Sequence, residues 1–442
     1  MSARYRTVER DQLMLLPHDL REWIPAGDIV HFILEAAALV PVGKFVSNDR
    51  GTGDEQYHPQ MMLALLLYCY CHGTFGSRRI ERATWKDVAV RYICGNQHPD
   101  HDTICDFRVR NEAAVSEAFL QVLKLAKAIG VLAVGTVSVD GTKIRANASI
   151  HKSLRYDRAG QLEAQLKLEI AELMGKAKQA DSQEGADKQD LTPELQRLET
   201  LRAKMREAQE MLEKRAADAQ KPSKGHKDDP GNPPPPAVPS PKQQINLTDP
   251  DSRIMLKNSS SAYEQSYNAQ AVVDADGSML VLGARVVNIG PDAGQLALDV
   301  EAVPEEVGTV CLVLADTGFA NGATVKKLQK QGKEVLVAMG RQTDSGIRKH
   351  DYRPIPTSTV TKAPLQFWNS PWARAMKKAL ESERGRRLYR LRKQTVEPVF
   401  GIIKQAMGFR QFYLRGIKKT SLEWTLVTCA YNLKRLAVLR GV

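Results

Sequence analysis

The spacing of apolar positions divides the chain into two halves of different texture. Up to Gly130 the pattern is helical. LREWIPAGDIVHFILEAAALV places apolar residues at helical spacing after Pro25. PQMMLALLLYCYCHGTF reads as a buried helix, with Pro59 suited to its first turn. Ser77 is placed to cap RRIERATWKDVAVRYI, and Asp102 or Thr103 to cap ICDFRVRN. The helix EAAVSEAFLQVLKLAKAIG then stops at Gly130.

From Val131 the pattern changes. VLAVGTVSVD reads as a buried strand ending at Asp140. A polar helical stretch follows from Arg158 to Gln220. Leu162, Leu166, Ile170 and Leu173 form one stripe in it, and Leu195, Leu198, Leu201 and Met205 form another after Thr192-Pro193. A break at Asp181 to Asp190 makes these an antiparallel helical hairpin. Residues 221–243 are Pro-, Gly- and Lys-rich and read as a linker. Strands are expected at Tyr267–Val273, Met279–Val287, Val310–Ala315 and Glu334–Met339. DADGS makes the first turn between them, and a helix spans Asn321–Gln331. Residues 340–370 carry no period, and helices resume at Trp372.

The expected architecture is therefore α/β. An all-helical N-terminal domain (1–130) precedes a mixed-sheet core that starts at 131–150. A helical hairpin insertion (151–220) and the linker (221–243) interrupt that core, which resumes over 244–442.

Composition narrows the partners. No apolar run approaches the ~18 residues needed to span a bilayer, and MSARYRTVERDQ lacks a signal-peptide core. A cytoplasmic chain is expected. The net charge is +12, and Pro371 to Val442 alone holds 17 Lys and Arg against 4 Asp and Glu. Such a concentration points to a polyanion, nucleic acid first; a solvated helix face is the plain alternative. Arg108 and Arg110, near the turns of short helices, suit helix-turn-helix contact with DNA, and helical packing explains them nearly as well. The six cysteines read as reduced thiols. Cys94, His98, His101 and Cys105 have zinc-ligand chemistry, but their C-x3-H-x2-H-x3-C spacing fits a polar loop between helices better than a finger.

Three acids stand apart by position. Asp140 and Asp316 each end an apolar strand, and Glu397 lies in the basic helical segment RLRKQTVEPVFGIIK. Strand ends are where loops can approach a substrate. Converging carboxylates repel unless a cation joins them. Magnesium prefers oxygen ligands, and two such ions clamp the attacking and leaving oxygens of a phosphoryl displacement. Taken singly, each Asp could also be an ordinary turn residue, and Glu397 could pair with Lys393.

At these residues the chain resembles the DDE transposases of bacterial insertion sequences. VSVDGTKIRANAS resembles the first-aspartate block, VLADTGFANG the second, and RLRKQTVEPVFGIIK the glutamate block. YHPQMMLALLLYCYCHGTFGSRRIERA and HPDHDTICDFRVRN resemble the N-terminal helical region. INLTDPDSRIM and YNAQAVVD resemble strands after the insertion. The resemblance implies a ribonuclease H-like core, with Asp140, Asp316 and Glu397 as catalytic ligands of two Mg2+ ions that Mn2+ can replace. The family's last block reads Tyr, two residues, Arg, three residues, Glu, six residues, Lys. Glu397 and Lys404 keep that spacing, while Arg390 and Lys393 stand at the Tyr and Arg positions and Tyr389 and Arg392 come one residue early. Lys143, Arg390, Arg392, Lys393 and Lys404 are the DNA contacts it implies, and Asp292 matches a minor polar position.

The implied activity is cleavage at transposon ends and strand transfer into target DNA. Its substrates are double-stranded terminal inverted repeats and target DNA, bound by a homodimer or higher assembly. Three rivals remain: a repurposed DNA-binding protein, a nuclease that cuts without joining, and a helical regulator dimerising through the hairpin.

Overall fold

The computed structural model describes residues 19–47, 55–181, 192–220, 238–256, 263–339 and 370–441. Most of the 221–243 linker, the hairpin break and nearly all of 340–370 lie outside these residues.

The apolar run at Met61–Cys71 folds as α2 (Pro59–Cys71), with Pro59 in its first turn and Met62 to Cys71 buried all round. Around it pack α1 (Ile29–Ala38), α3 (Ser77–Lys86), α4 (Val88–Ile93), α5 (His101–Arg110) and α6 (Glu112–Ala128). Short acidic side chains start three of these. Asp28 accepts from Val30 N at 2.8 Å, Asp87 from Val90 N at 3.0 Å, and Asp100 from Asp102 N and Thr103 N at 2.8 Å each. Three sequence expectations are corrected here. Ser77 is the first helical residue of α3 and Gly76 occupies the cap. Asp100 caps α5, in place of Asp102 or Thr103. The single helix expected over 78–93 breaks at Asp87, which stays extended in order to cap α4.

The sheet is built on β1 (Thr136–Arg145). The insertion leaves it through β2 (Ser153–Arg155), α7 (Tyr156–Asp181), α8 (Thr192–Gln220) and β3 (Gln244–Asn246). Then come β4 (Arg253–Leu256), β5 (Tyr263–Asp274), β6 (Val281–Val287), α9 (Leu296–Glu301), β7 (Leu312–Ala315), α10 (Gly322–Lys330) and β8 (Glu334–Val337). The order is β6-β5-β1-β7-β8, with β4 extending the β6 edge and β2 pairing β3 apart from the main sheet. The β1–β5–β6 meander is antiparallel, whereas β7 and β8 run parallel to β1. This mixed sheet, reached by a helical N-terminal region, is compatible with a ribonuclease H-like core.

The register places the acids. On its parallel side β1 pairs β7 as far as Val139↔Ala315, so Asp140 and Asp316 are the next residues on adjacent strands. On its other side β1 continues to Arg145↔Ser266. Asp140 therefore lies inside the strand and not at its end. The expected start at Val131 also moves to Thr136.

The C-terminal segments are α11 (Pro371–Glu381), α12 (Glu383–Gly401), a π-helical turn (Ile402–Ala406) and α13 (Ile417–Arg440). Trp424, Leu426, Val427, Cys429, Tyr431 and Leu433 of α13 are essentially inaccessible, because the helix packs between the N-terminal helices and the sheet. One continuous apolar cluster thus runs from Ile24 through the sheet to Leu436. The hairpin has a small core of its own, with Leu154, Ala159, Leu166, Met205, Leu212 and Ile245 at its centre. Leu201, expected in that stripe, is exposed.

Candidate active site

α12 packs against β1, β5 and β7 and carries its apolar stripe toward them. Val396, Val399 and Phe400 are buried, as are Thr395 and Arg392 one turn earlier. Two polar ties fix the helix. Thr395 donates to Ser138 Oγ at 2.8 Å, and the Tyr389 hydroxyl donates to the Ala315 carbonyl at 3.3 Å.

The stripe aims Arg392 at the acids. Its Nη2 lies 2.9 Å from Asp140 Oδ2 and 3.8 Å from Asp316 Oδ2, and its Nη1 lies 3.2 Å from Glu397 Oε1. One guanidinium, 7% exposed, thus joins all three carboxylates named from the sequence. Arg390 and Lys393, which occupy the family's spaced positions, are exposed on the outer face of the helix. The one-residue shift has a helical cause: 100° of rotation separates Lys393 from the buried stripe to which Arg392 belongs. Reading the stripe back from Val399 and Val396 would have selected Arg392 and Tyr389.

A fourth carboxylate completes the cluster. Asp292 Oδ1 accepts from Asn268 Nδ2 and Gln270 Nε2, each at 2.7 Å, and its Oδ2 lies 3.8 Å from Lys143 Nζ. Alternation along β5 puts Asn268 and Gln270 on one face, opposite Lys143 and Gly141 of β1. Gly141 is required there. A Cβ would fall 2.6 Å from Gln270 Nε2 and 2.7 Å from Asp292 Oδ1. Gly318 is hemmed in similarly by Asp316 and Asp292. The period-2 amides of YNAQAVVD were the sequence signal for this support. Lys143, expected on a phosphate, faces Asp292, and Lys404 Nζ donates to Thr142 Oγ1.

The electrostatics record crowded negative charge. Burial pushes the Asp140 carboxyl up to about 6; Arg392 opposes the rise, while Asp316 and Asp292 add to it. Among the described residues, no three His, Cys, Asp or Glu side chains are grouped so as to share a metal ion as they stand. The acids converge on Arg392 and not on one another. Their chemistry nonetheless fits a divalent cation: hard oxygen donors on adjacent strands, too crowded to be comfortable without positive charge.

One expectation fails on geometry. Arg108 is 3% exposed, donates to Tyr70 Oη at 2.9 Å and the Phe75 carbonyl at 2.8 Å, and faces buried Glu423 at 3.8 Å. It braces the core and cannot reach DNA, whereas Arg110 is exposed beside Asp106. Three of the four residues of zinc-ligand type are engaged separately, as the loop reading expects. Cys94 is buried, His98 stacks on Trp85 at 3.4 Å, and His101 Nδ1 meets Glu81 at 3.0 Å.

Comparison with known families supports the resemblance. A transposase DDE domain matches residues 357–437, and a transposase domain (DUF772) matches residues 18–110. Both matches are consistent with a DDE transposase of an insertion sequence. The first match contains Arg392 and Glu397, while Asp140 and Asp316 lie outside both matched segments. No curated protein and no solved structure matches the chain. Among its described residues, no helix is long and apolar enough to cross a membrane.

Proposed function

We propose that this transposase cleaves DNA at the ends of a mobile element and transfers the freed strands into target DNA. The reading takes its sheet as a ribonuclease H-like core. The observation that carries it is the convergence of Asp140, Asp316 and Glu397 on one guanidinium beside the inner strands of a mixed sheet.

Asp140, Asp316 and Glu397 would hold divalent metal ions, Mg2+ or Mn2+, which when bound supply Lewis acidity to the attacking and leaving oxygens of a phosphodiester. Two ions are the natural number for symmetric in-line displacement. In the first reaction, water adds to the scissile phosphate and the 3′ oxygen leaves as a hydroxyl. In the second, that hydroxyl attacks a target phosphate, so one phosphodiester forms as another breaks. No Ser or Tyr nucleophile is required. Asn268 and Gln270 hold Asp292 in place, and Lys143 balances its charge. Arg392 supplies positive charge to the cluster, and Glu397 would have to part from it to hold an ion. Exposed Arg386, Arg387, Arg390 and Lys393 line the outer face of α12, where a DNA backbone can lie.

Pairing two element ends calls for at least a dimer on DNA. The position of Arg392 among the acids also favours a second reading, DNA binding without chemistry. Incubating terminal-repeat DNA with the wild type and with Glu397→Ala, each with Mg2+ or Mn2+, separates the two. Cleavage and joining by wild type alone support the transposase reading. Binding without cleavage by either protein supports the other.

A further inference from the structure

The exposed face of α3 stands apart from everything described so far. Ser77-Arg78-Arg79-Ile80-Glu81-Arg82-Ala83-Thr84-Trp85-Lys86 buries only Ile80 and Thr84 fully and turns Arg78, Arg79, Arg82, Trp85 and Lys86 to solvent. Among the described residues, none of these four cations lies within ion-pair distance of a carboxylate, although pairing is common on cationic helices elsewhere in the chain. The one acid of the helix, Glu81, is taken by His101 at 3.0 Å.

Trp85 is 61% exposed, the most exposed Trp among the described residues. It is not loose. His98 covers one face of the indole at 3.4 Å and 11°, and His98 Nδ1 is in turn held by Thr84 Oγ1 at 3.2 Å. A rigid aromatic plane with one free face, flanked by unpaired cations, suits a partner that offers phosphates and flat or apolar surfaces side by side.

The face is also joined to the acids. Gly76, which opens α3, lies against the Tyr413 ring, where a Cβ would come within 3.7 Å. The backbone next to Tyr413 bonds to the end of β1: Phe412 N donates to the Arg145 carbonyl at 2.8 Å, and Asn147 Nδ2 donates to the Tyr413 carbonyl at 2.9 Å.

We propose that the Arg78–Lys86 face of α3 binds the double-stranded end of the element. Arg78, Arg79 and Arg82 take phosphates, and the free face of Trp85 packs against a sugar or base edge. This rests on the transposase reading and gives the N-terminal helices their DNA surface in place of Arg108.

The test is fluorescence anisotropy with a terminal-repeat duplex over a range of salt. It compares the full-length wild type, the triple variant Arg78→Gln/Arg79→Gln/Arg82→Gln, Trp85→Ala, and a charge-matched control on the hairpin, Arg197→Gln/Lys204→Gln/Lys214→Gln. The triple variant should bind at least tenfold more weakly, and its log–log salt slope should fall by about 0.9 for each lost phosphate contact. Trp85→Ala should lose about tenfold with its slope unchanged. The control should stay within about threefold of wild type. Wild-type binding of the triple variant, or an equal loss in the control, overturns the assignment to α3 and leaves the transposase reading standing. A change in self-association by Trp85→Ala with DNA binding intact assigns the face to a second copy and also overturns it. Wild type failing to bind the duplex at all overturns both readings.

Discussion

Replacing Arg392 by Met removes the cation that, among the described residues, touches all three acids, and keeps most of the side chain's volume. At an effective dielectric near 20, a charge pair at about 4 Å attracts by about 4 kcal/mol. Arg392 has two closer partners and one at 3.8 Å. Burying its own charge offsets much of that attraction, and breaking a buried pair costs about 3–5 kcal/mol. Glu397, with its side chain 51% exposed, contributes least. Protonation of Asp140 limits the damage. Its carboxyl already stands at about 6, against 3.8 for the free group, with Arg392 pulling it down. Without Arg392 it rises further. A folded-state pKa above the unfolded value gives stability that is complete below the unfolded value and is lost as pH rises through the folded one. The deficit of the variant should therefore widen with pH, from about 1 kcal/mol at pH 5 to about 3 kcal/mol at pH 8 in metal-free buffer. Urea denaturation followed by tryptophan fluorescence measures it, and millimolar Mn2+ should narrow the gap at pH 8. A deficit below about 0.5 kcal/mol at pH 8, or one that shrinks as pH rises, would refute the reasoning.

Arg108→Ala should cost about 3–5 kcal/mol of stability, because it strands buried Glu423 and Tyr70, and should leave the salt slope of DNA binding unchanged; an altered slope with stability intact would return Arg108 to the DNA surface. Gly141→Ala forces a methyl against Gln270, Asn268 and Asp292, so cleavage should fall at least tenfold, and a fully active variant would show that this corner of the site is slack. Asp299 is held up at about 7 by burial despite Arg285 at 2.6 Å, and its Oδ2 has no hydrogen-bond partner among the described residues. Since its folded pKa exceeds 3.8, stability drains away as pH rises through 7; Asp299→Asn should flatten that slope between pH 5 and 8, and a loss above about 1 kcal/mol at pH 8 would contradict this.

The strand and helix periods of the sequence carried the architecture because each buried element has one dominant contact face. The β5–β6 hairpin, α10 and the two hairpin helices all lie where their apolar spacing places them. Short elements escaped. The 3-residue β2 and β3, the 4-residue β4 and the 6-residue α9 are too brief to show a period. The three acids were legible as strand-end and basic-helix residues, but their counter-ion was not. The sequence assigns Arg392 to DNA, one residue off the family's spacing, although its place on the Val396–Val399 stripe turns it inward to the acids. Arg108 misled for the opposite reason, since a cation near a helix turn reads as exposed until its partners, Tyr70 and Glu423, arrive from 38 and 315 residues away. Asp292 was undervalued because its amide support comes from another strand.

Cleavage of labelled terminal-repeat DNA, from the repeats that flank the gene, is the most direct test of Asp140, Asp316 and Glu397 acting as one metal-dependent site. Wild-type protein with Mg2+ or Mn2+ should cut at the repeat ends and yield joined products. Asp140→Asn, Asp316→Asn and Glu397→Gln should each abolish both while still binding the ends. Metal-dependent cutting that survives any one of these substitutions, or no cutting by wild type under several metals and salts, would contradict it.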